Sequence, residues 1–286
     1  MTSYPPDGHV HTQFSWDAPF GNMERTCARA VELGLPSIAF TEHADFGRTI
    51  LVDSDPTHLP GWLAAHTDEH GVVTPPDLAV ENYLAEVARC RELFPGLRIL
   101  TGVELSEPHW HARRTADLID LGGFDRILGS VHNLRHVDDR TQEVREYDSG
   151  DAYRVLATET VIRSYLAEVE KLATGSDAFG VLAHIDFPVR YWPSGAAPFD
   201  PATFEEEYRV ALRALARSGR ALEVNTRVPL DPVIVRWWYQ EGGETLTFGS
   251  DAHRPDDLAN GLREAAAMVE TIGFRPGAHP YDLWRR

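Results

Sequence analysis

Short apolar runs alternate with helical patterns along this chain, and six of its seven runs carry one of His11, His43, Glu104, His132, His184 and Asp251 at their end or within two residues of it. The runs occupy residues 8–11, 37–41, 98–105, 126–132, 180–184, 221–225 and 245–249. Between them lie helical patterns at 23–33, 77–94, 114–121, 152–172, 201–218, 232–241 and 255–272, several opening on proline and closing at glycine, as helix ends prefer. Strand and helix in strict alternation predict an α/β fold, a parallel sheet with helices outside. An open sheet would spread the seven strand ends along a line too long for one site. A closed (β/α) barrel brings them to one rim, where the active sites of such barrels lie, so the pattern favours a barrel. A chain of 286 residues suits a single domain, and no linker, repeat or low-complexity tract divides it.

The residues at those run ends share one chemistry. His9 and His11, two apart on an extended strand, point to the same face, because side chains alternate with period two. Asp17 follows six residues later; Thr-Glu-His43, Gly-Val-Glu104, Gly-Ser-Val-His132, Leu-Ala-His184 and Gly-Ser-Asp251-Ala-His253 close the later runs. Imidazole and carboxylate are the groups that hold a divalent metal, and the mixture suits Zn, Mn or Fe. One His-x-His pair is a weak signal, whereas recurrence at successive strand ends is a specific one.

The formal charge of −17, with no basic cluster to offset it, opposes binding to a nucleic-acid polymer or an anionic membrane. No run is long and apolar enough to span a bilayer, and the first residues lack a basic and then hydrophobic signal, so a cytoplasmic protein is expected. Cys27 and Cys90, far apart within helical patterns, read as reduced structural thiols. Two irregular stretches follow ligand-bearing runs. Residues 46–76, with Trp62, read as a lid or pocket wall, and the acidic segment 137–150 follows His132 in the same way.

The ordered set His9-x-His11, Asp17, Thr-Glu-His43, Gly-x-Glu104, Gly-Ser-x-His132, His184-x-Asp and Gly-Ser-Asp251-Ala-His253 resembles the PHP superfamily, named for polymerase and histidinol phosphatase. The phrases Phe-Ser-Trp-Asp17, Phe-Thr-Glu-His43 and His184-Ile-Asp-Phe-Pro-Val-Arg190-Tyr resemble its histidinol-phosphate phosphatases in particular. The resemblance implies a distorted seven-stranded (β/α) barrel holding three divalent metal ions. It places one on His9, His11, Glu104 and Asp251, a second on Asp17, His43 and His253, and a third on His132, His184 and a bridging Glu104. It further implies a phosphomonoesterase acting on a small phosphorylated metabolite, foremost L-histidinol phosphate, through a hydroxide that bridges metals. The resemblance puts Arg190 in a phosphate clamp, where a planar guanidinium matches phosphate geometry, whereas its position alone reads equally as an arginine in a surface ion pair. After Asn225-Thr226 the chain departs from the family: it runs straight into Arg227-Val-Pro-Leu-Asp-Pro, which leaves Arg227 to take the second phosphate contact and alters the leaving-group pocket. Alternatives are a PHP-type nucleotide phosphatase or phosphodiesterase, and a non-catalytic metal-binding barrel.

Other polar residues carry ordinary expectations. Asp7 and Asp186 read equally as carboxylates supporting the neighbouring histidines or as surface groups. His109 and His111 repeat the His-x-His spacing after Pro108 and are expected in solvent, while His58, His66, His70, His136 and His279 fall in loops as non-ligands. Trp62, Trp110 and Trp192 are placed to wall the site; Trp237 and Trp238 read as packing.

Overall fold

A strand buried on both faces of a parallel sheet reads as an apolar run without polar alternation, and this chain uses that rule throughout. The computed structural model describes residues 4–52, 58–138 and 141–286. The strands among them are β1 (Asp7–Val10), β2 (Ser37–Ala44), β3 (Thr49–Ile50), β4 (Val72–Val73), β5 (Arg98–Ser106) and β6 (Arg126–Ser130). There follow β7 (Asn133–Val137), β8 (Val144–Asp148), β9 (Val181–Leu182), β10 (Ala221–Asn225), β11 (Thr245–Gly249) and β12 (Trp284–Arg285). One curled sheet takes them in the order β1-β2-β5-β6-β9-β10-β11-β12, parallel except for β12, which pairs antiparallel with β11. The ladder is open from β1 to β12. Past its strand ends, Asp251 N–H donates to His9 O and His11 N–H to Ala252 O, both at 2.9 Å, around a parallel bridge between Val10 and Ala252.

Register places the chemistry. The eight-residue ladder from Ser37↔Arg98 to Ala44↔Leu105 sets His43 directly beside Glu104. On β10 and β11, Glu223 pairs with Thr247 and Asn225 with Gly249, so Glu223 lies beside the strand that leads to Asp251, two residues back from its end.

The helices are α1 (Met23–Leu33), α2 (Gly61–Ala64), α3 (Val80–Leu93), α4 (Ala112–Asp120), α5 (Ser149–Val155), α6 (Thr158–Gly175), α7 (Glu205–Arg217), α8 (Pro232–Gln240) and α9 (Leu262–Ile272). Helix α1 has the expected limits for local reasons. Asn22 caps its first turn by accepting from Arg25 N–H, and Gly34 ends it at φ 71°, where a side chain would be strained. Its buried Met23, Thr26, Cys27 and Ala30 form one stripe at helical spacing. In α8 the sequence Asp231-Pro232 supplies both the cap and a ring already at helical φ.

Several boundaries differ from the sequence reading. The helix expected over 152–172 is two, broken at Leu156–Ala157, where Leu156 is extended. The patterns at 201–218 and 255–272 each begin with a separate 3-10 turn. Strand β9 keeps only two residues, and β12 was not foreseen because a two-residue strand has no period to detect. Residues 46–76 contain the β3–β4 hairpin and α2, and 137–150 contribute to the β7–β8 hairpin; positions 53–57 and 139–140 of those segments lie outside the described residues. No helix of the described residues is long and apolar enough to cross a membrane.

Candidate metal centre

All nine residues singled out at strand ends are brought together. His9 lies within β1 and His11 follows it; His43 and Glu104 lie near the ends of β2 and β5; His132, His184 and Asp251 come two residues after β6, β9 and β11. Glu104 is central and fully buried. Its Oε1 is 2.7 Å from His184 Nε2 and 3.2 Å from His132 Nε2, while its Oε2 is 3.1 Å from His9 Nε2, 3.3 Å from His43 Nδ1 and 3.4 Å from His11 Nε2. Asp251 Oδ1 approaches His11 Nε2 at 3.3 Å, and Asp17 Oδ2 lies 3.0 Å from His253 Nε2 and 3.4 Å from His43 Nε2. Four three-residue sets have ligand atoms mutually within 4.8 Å: His9–His11–Asp251, His9–Glu104–His184, His43–Glu104–His132 and His11–His43–His253.

Residues outside the expected set decide which nitrogen each imidazole presents. Glu223 Oε1 accepts from His9 Nδ1 at 2.8 Å, so the Nε2 of His9 carries its lone pair towards Glu104. Ser15 Oγ donates its only proton to Glu42 Oε2 at 2.6 Å, and can therefore only accept from His11 Nδ1, 3.0 Å away. Ser106 stands between Glu107 Oε2 and His132 Nδ1 in the same way, at 3.0 Å from each. Three imidazoles are thus locked with Nε2 lone pairs facing carboxylate oxygens, and the Nε2 atoms of His9 and His11 are 2.9 Å apart. Lone pairs so arranged repel unless positive charge stands between them. The donors fit divalent cations on that ground.

The electrostatics agree. Burial, the largest influence, lowers the pKa of His9, yet Glu223, Glu104 and Asp251 together raise it well above the usual imidazole range. His132 is raised likewise by Glu104 and Asp45 against burial, and His43 to about 9 by Asp17, Asp45 and Glu104 against burial. Against burial, the neighbouring histidines hold Glu104 and Asp17 well below the carboxylate range, and Arg190 with the histidines does so for Asp251. Burial and crowding by His43 and His253 depress His11, and burial lowers His184 to about 4. The cluster is anionic at its centre and draws positive charge inward.

Backbone shape permits this density. A Cβ on Gly249 would collide with Glu223 Oε1 and lie 2.5 Å from His9 Cβ. Asp251 adopts φ 54°, the left-handed region, which turns its carboxylate back to the cluster. Asp7 is no surface group: fully buried, it accepts from His9 N–H (3.4 Å), Ser250 N–H (2.9 Å), Ser250 Oγ (2.5 Å) and Ala259 N–H (3.0 Å), tying His9 to the turn that carries Asp251 and His253. Asp186 is also buried, which pushes its carboxyl up to about 6 against the pull of Arg190.

A cleft of about 290 Å³ opens over the cluster. His43, Glu104, His132, His184, Asp251, His253 and Asp17 form its floor, with Arg190 and Arg227 at one edge and Asn133, Asp148 and Asp151 at another. Leu51, Trp62, Leu63 and Val73 from the 46–76 segment wall it, as expected, joined by Trp16. Arg190 Nη2 donates to Asp251 Oδ2 at 2.5 Å and to Asn225 Oδ1 at 3.2 Å. Arg227, nearly half exposed, donates through Nη1 to Asp251 O at 2.9 Å. Other expectations are corrected. Trp110 and Trp192 do not line the cleft: Trp110 lies under Arg135 and donates to Glu168, and Trp192 packs on Phe199. His109 is not in solvent: its side chain is only 7% exposed and lies 2.7 Å from Glu168 Oε1, and His136 lies in β7 rather than a loop.

A family model described as the PHP domain matches residues 7–227, more than three quarters of the chain. The chain belongs to the PHP domain family. Among curated relatives, this PHP domain is 25% identical to the histidinol-phosphatase of Lactococcus lactis over 94% of its own length and 91% of the relative's. It is 24% identical to the histidinol-phosphatase of Bacillus subtilis over 88% and 94%. The crystal structure of the Lactococcus lactis enzyme, complexed with zinc, L-histidinol and phosphate, matches with a TM-score of 0.73 over 95% of each chain at 24% identity, a likeness of fold.

Proposed function

We propose that this protein is a metal-dependent phosphomonoesterase, that its substrate is a small phosphorylated metabolite with L-histidinol phosphate foremost, and that its seven parallel strands act as a distorted barrel with the site at the C-terminal rim. The observation that carries the reading is the position of Glu104, one oxygen facing His132 and His184, the other His9, His11 and His43, beneath a cleft edged by two arginines. The histidinol phosphatases among its relatives support the substrate. His9, His11, Glu104 and Asp251 would hold one cation, Asp17, His43 and His253 a second, and His132 and His184 with Glu104 a third. Such ions, zinc, manganese or iron, supply Lewis acidity towards water and phosphate oxygen at neutral pH.

The chain's own residues do the rest. Arg190 commits only Nη2 to Asp251 and Asn225; its other guanidinium N–H groups make no hydrogen bond among the described residues and can donate to phosphate oxygens. Arg227, which also contacts Asp251, lines the same cleft as a second donor. Trp16, Trp62, Leu51 and Leu63 exclude water around the reacting group, which strengthens each charge contact inside.

Phosphate release from histidinol phosphate, an aryl phosphate monoester and an aryl phosphodiester tests the reading. Monoesters are expected to be cleaved and the diester spared; chelation abolishes turnover and added Zn, Mn or Fe restores it. Cleavage of the diester alone would favour a phosphodiesterase, and no cleavage with metal bound would leave a binding protein.

Two further outcomes are expected. Protons compete with cations for His9, His43 and His132, whose pKa values stand above the usual range. Metal binding near pH 7 must therefore release protons, and affinity must fall as pH falls from about 9. Titrating zinc into weakly buffered, metal-free protein with a pH indicator reads this directly; no release would contradict it. Glu223→Gln leaves His9 without its anchoring carboxylate, so metal affinity falls about 10- to 100-fold in a chelator competition. Unaltered affinity would remove Glu223 from that role.

A further inference from the structure

One imidazole of the centre is held the wrong way round for a metal. His9, His11 and His132 each pair Nδ1 with a group that accepts its proton, which leaves Nε2 bare. His253 Nδ1 instead lies 2.7 Å from Arg227 Nη1. A guanidinium only donates, so here Nδ1 is the acceptor. The ring's one proton therefore sits on Nε2, which donates it to Asp17 Oδ2 at 3.0 Å. The second proton of Arg227 Nη1 goes to Asp251 O at 2.9 Å.

In this state His253 has no lone pair on Nε2 for a cation. The opposite state is nonetheless built in. Asp251 O lies 2.9 Å from His253 Nδ1, placed to accept from an Nδ1–H. Asp17 Oδ1 is buried and makes no hydrogen bond among the described residues, an acceptor that a cation would satisfy. His43 Nε2 stands 3.4 Å from the other oxygen of Asp17. To pass between the states, Nε2 gives its proton to solvent and Nδ1 takes one up, so the ring keeps one throughout. Arg227 Nη1 must then withdraw, because two donors 2.7 Å apart repel. Its backbone N–H stays on Asn225 Oδ1 at 3.0 Å, while the side chain, nearly half exposed, lines the cleft into which it would turn.

We infer, on the three-cation reading above, that Arg227 competes with the second cation for His253. Arginine and metal cannot hold that ring together. The cation on Asp17, His43 and His253 therefore binds last and most weakly, and its arrival turns the Arg227 guanidinium away from His253 towards the cleft. Asp17 and His253 are also the most exposed of the nine ligands.

Nitrogen-15 NMR of the histidine rings in the full chain reads the tautomer, with His253 assigned from His253→Gln. In chelator-stripped protein the His253 proton is expected on Nε2, and it should move to Nδ1 only as the last equivalent of zinc binds. Zinc affinities are measured in parallel by competition with a chromophoric chelator. Arg227→Ala is expected to tighten the last equivalent by about tenfold or more, the scale of one hydrogen bond from a charged donor, and to change the earlier equivalents less. A bare Nε2 on His253 in the stripped protein overturns the assignment. So does an unchanged last equivalent, or equal tightening of every equivalent, which is the mark of lost charge alone. Zinc that saturates the chain without reaching His253 would remove the second cation itself, and the three-cation reading with it. The tautomer is read on the unaltered chain, so it decides even where Arg227→Ala does not fold.

Discussion

Glu104→Ala is expected to abolish phosphate release and to lower the metal content of the purified protein. Losing a single preorganised electrostatic contact typically slows an enzyme by about 100- to 1,000-fold. Glu104 contacts five imidazoles through its two oxygens, so its loss should exceed that range. Glu104→Gln is the sharper variant. It keeps the shape and removes the charge, placing an amide among lone pairs that need a cation. Metal per chain by elemental analysis and turnover on an aryl phosphate are the two measurements. Full metal content with near-normal turnover would take Glu104 out of the centre. Loss of both together with loss of cooperative thermal unfolding would show a folding defect instead, and Glu104→Gln then decides.

Arg190→Ala is expected to lower kcat/KM for phosphate monoesters by about two to three orders of magnitude while leaving the metal content unchanged, because a clamp on the transferring phosphoryl group contributes most as charge develops. The structure adds a condition to this expectation. Arg190 is also the nearest cation to Asp251, so its removal leaves that carboxylate to the neighbouring histidines and Arg227 unless bound cations take over the charge. The comparison must therefore be made on metal-loaded protein. Arg190→Lys keeps the charge without the planar fork and should recover only part of the loss. Arg227→Ala, at a more exposed edge, should cost less. Equal and small losses for both arginines, on histidinol phosphate and on an aryl phosphate alike, would mean that neither reads phosphate.

Much of this molecule was legible before any coordinates. The runs at 221–225 and 245–249 became β10 and β11 without change, because both faces of a parallel strand are buried and its sequence shows little else. The limits of α1 followed from Asn22 and Gly34, residues whose conformational preferences are local. Where local signals were weak the reading slipped: the break at Leu156–Ala157 carries no proline or glycine, and β12 is too short for any pattern.

By itself the sequence determined which residues stand at the strand ends and which chemistry they share, because strand period and ligand type are properties of neighbours along the chain. Only the tertiary structure decided how those histidines are aimed. Glu223 reaches His9 across 214 positions, and Ser15 sits between Glu42 and His11, contacts that no spacing announces. A charged Glu223 between buried Leu222 and Val224 was the one trace of it in the sequence, since an unpaired carboxylate is too costly to bury. That trace says a partner must exist. Which imidazole it is, and therefore which nitrogen faces the centre, depends on a sheet that curls until β1 meets the turn after β11.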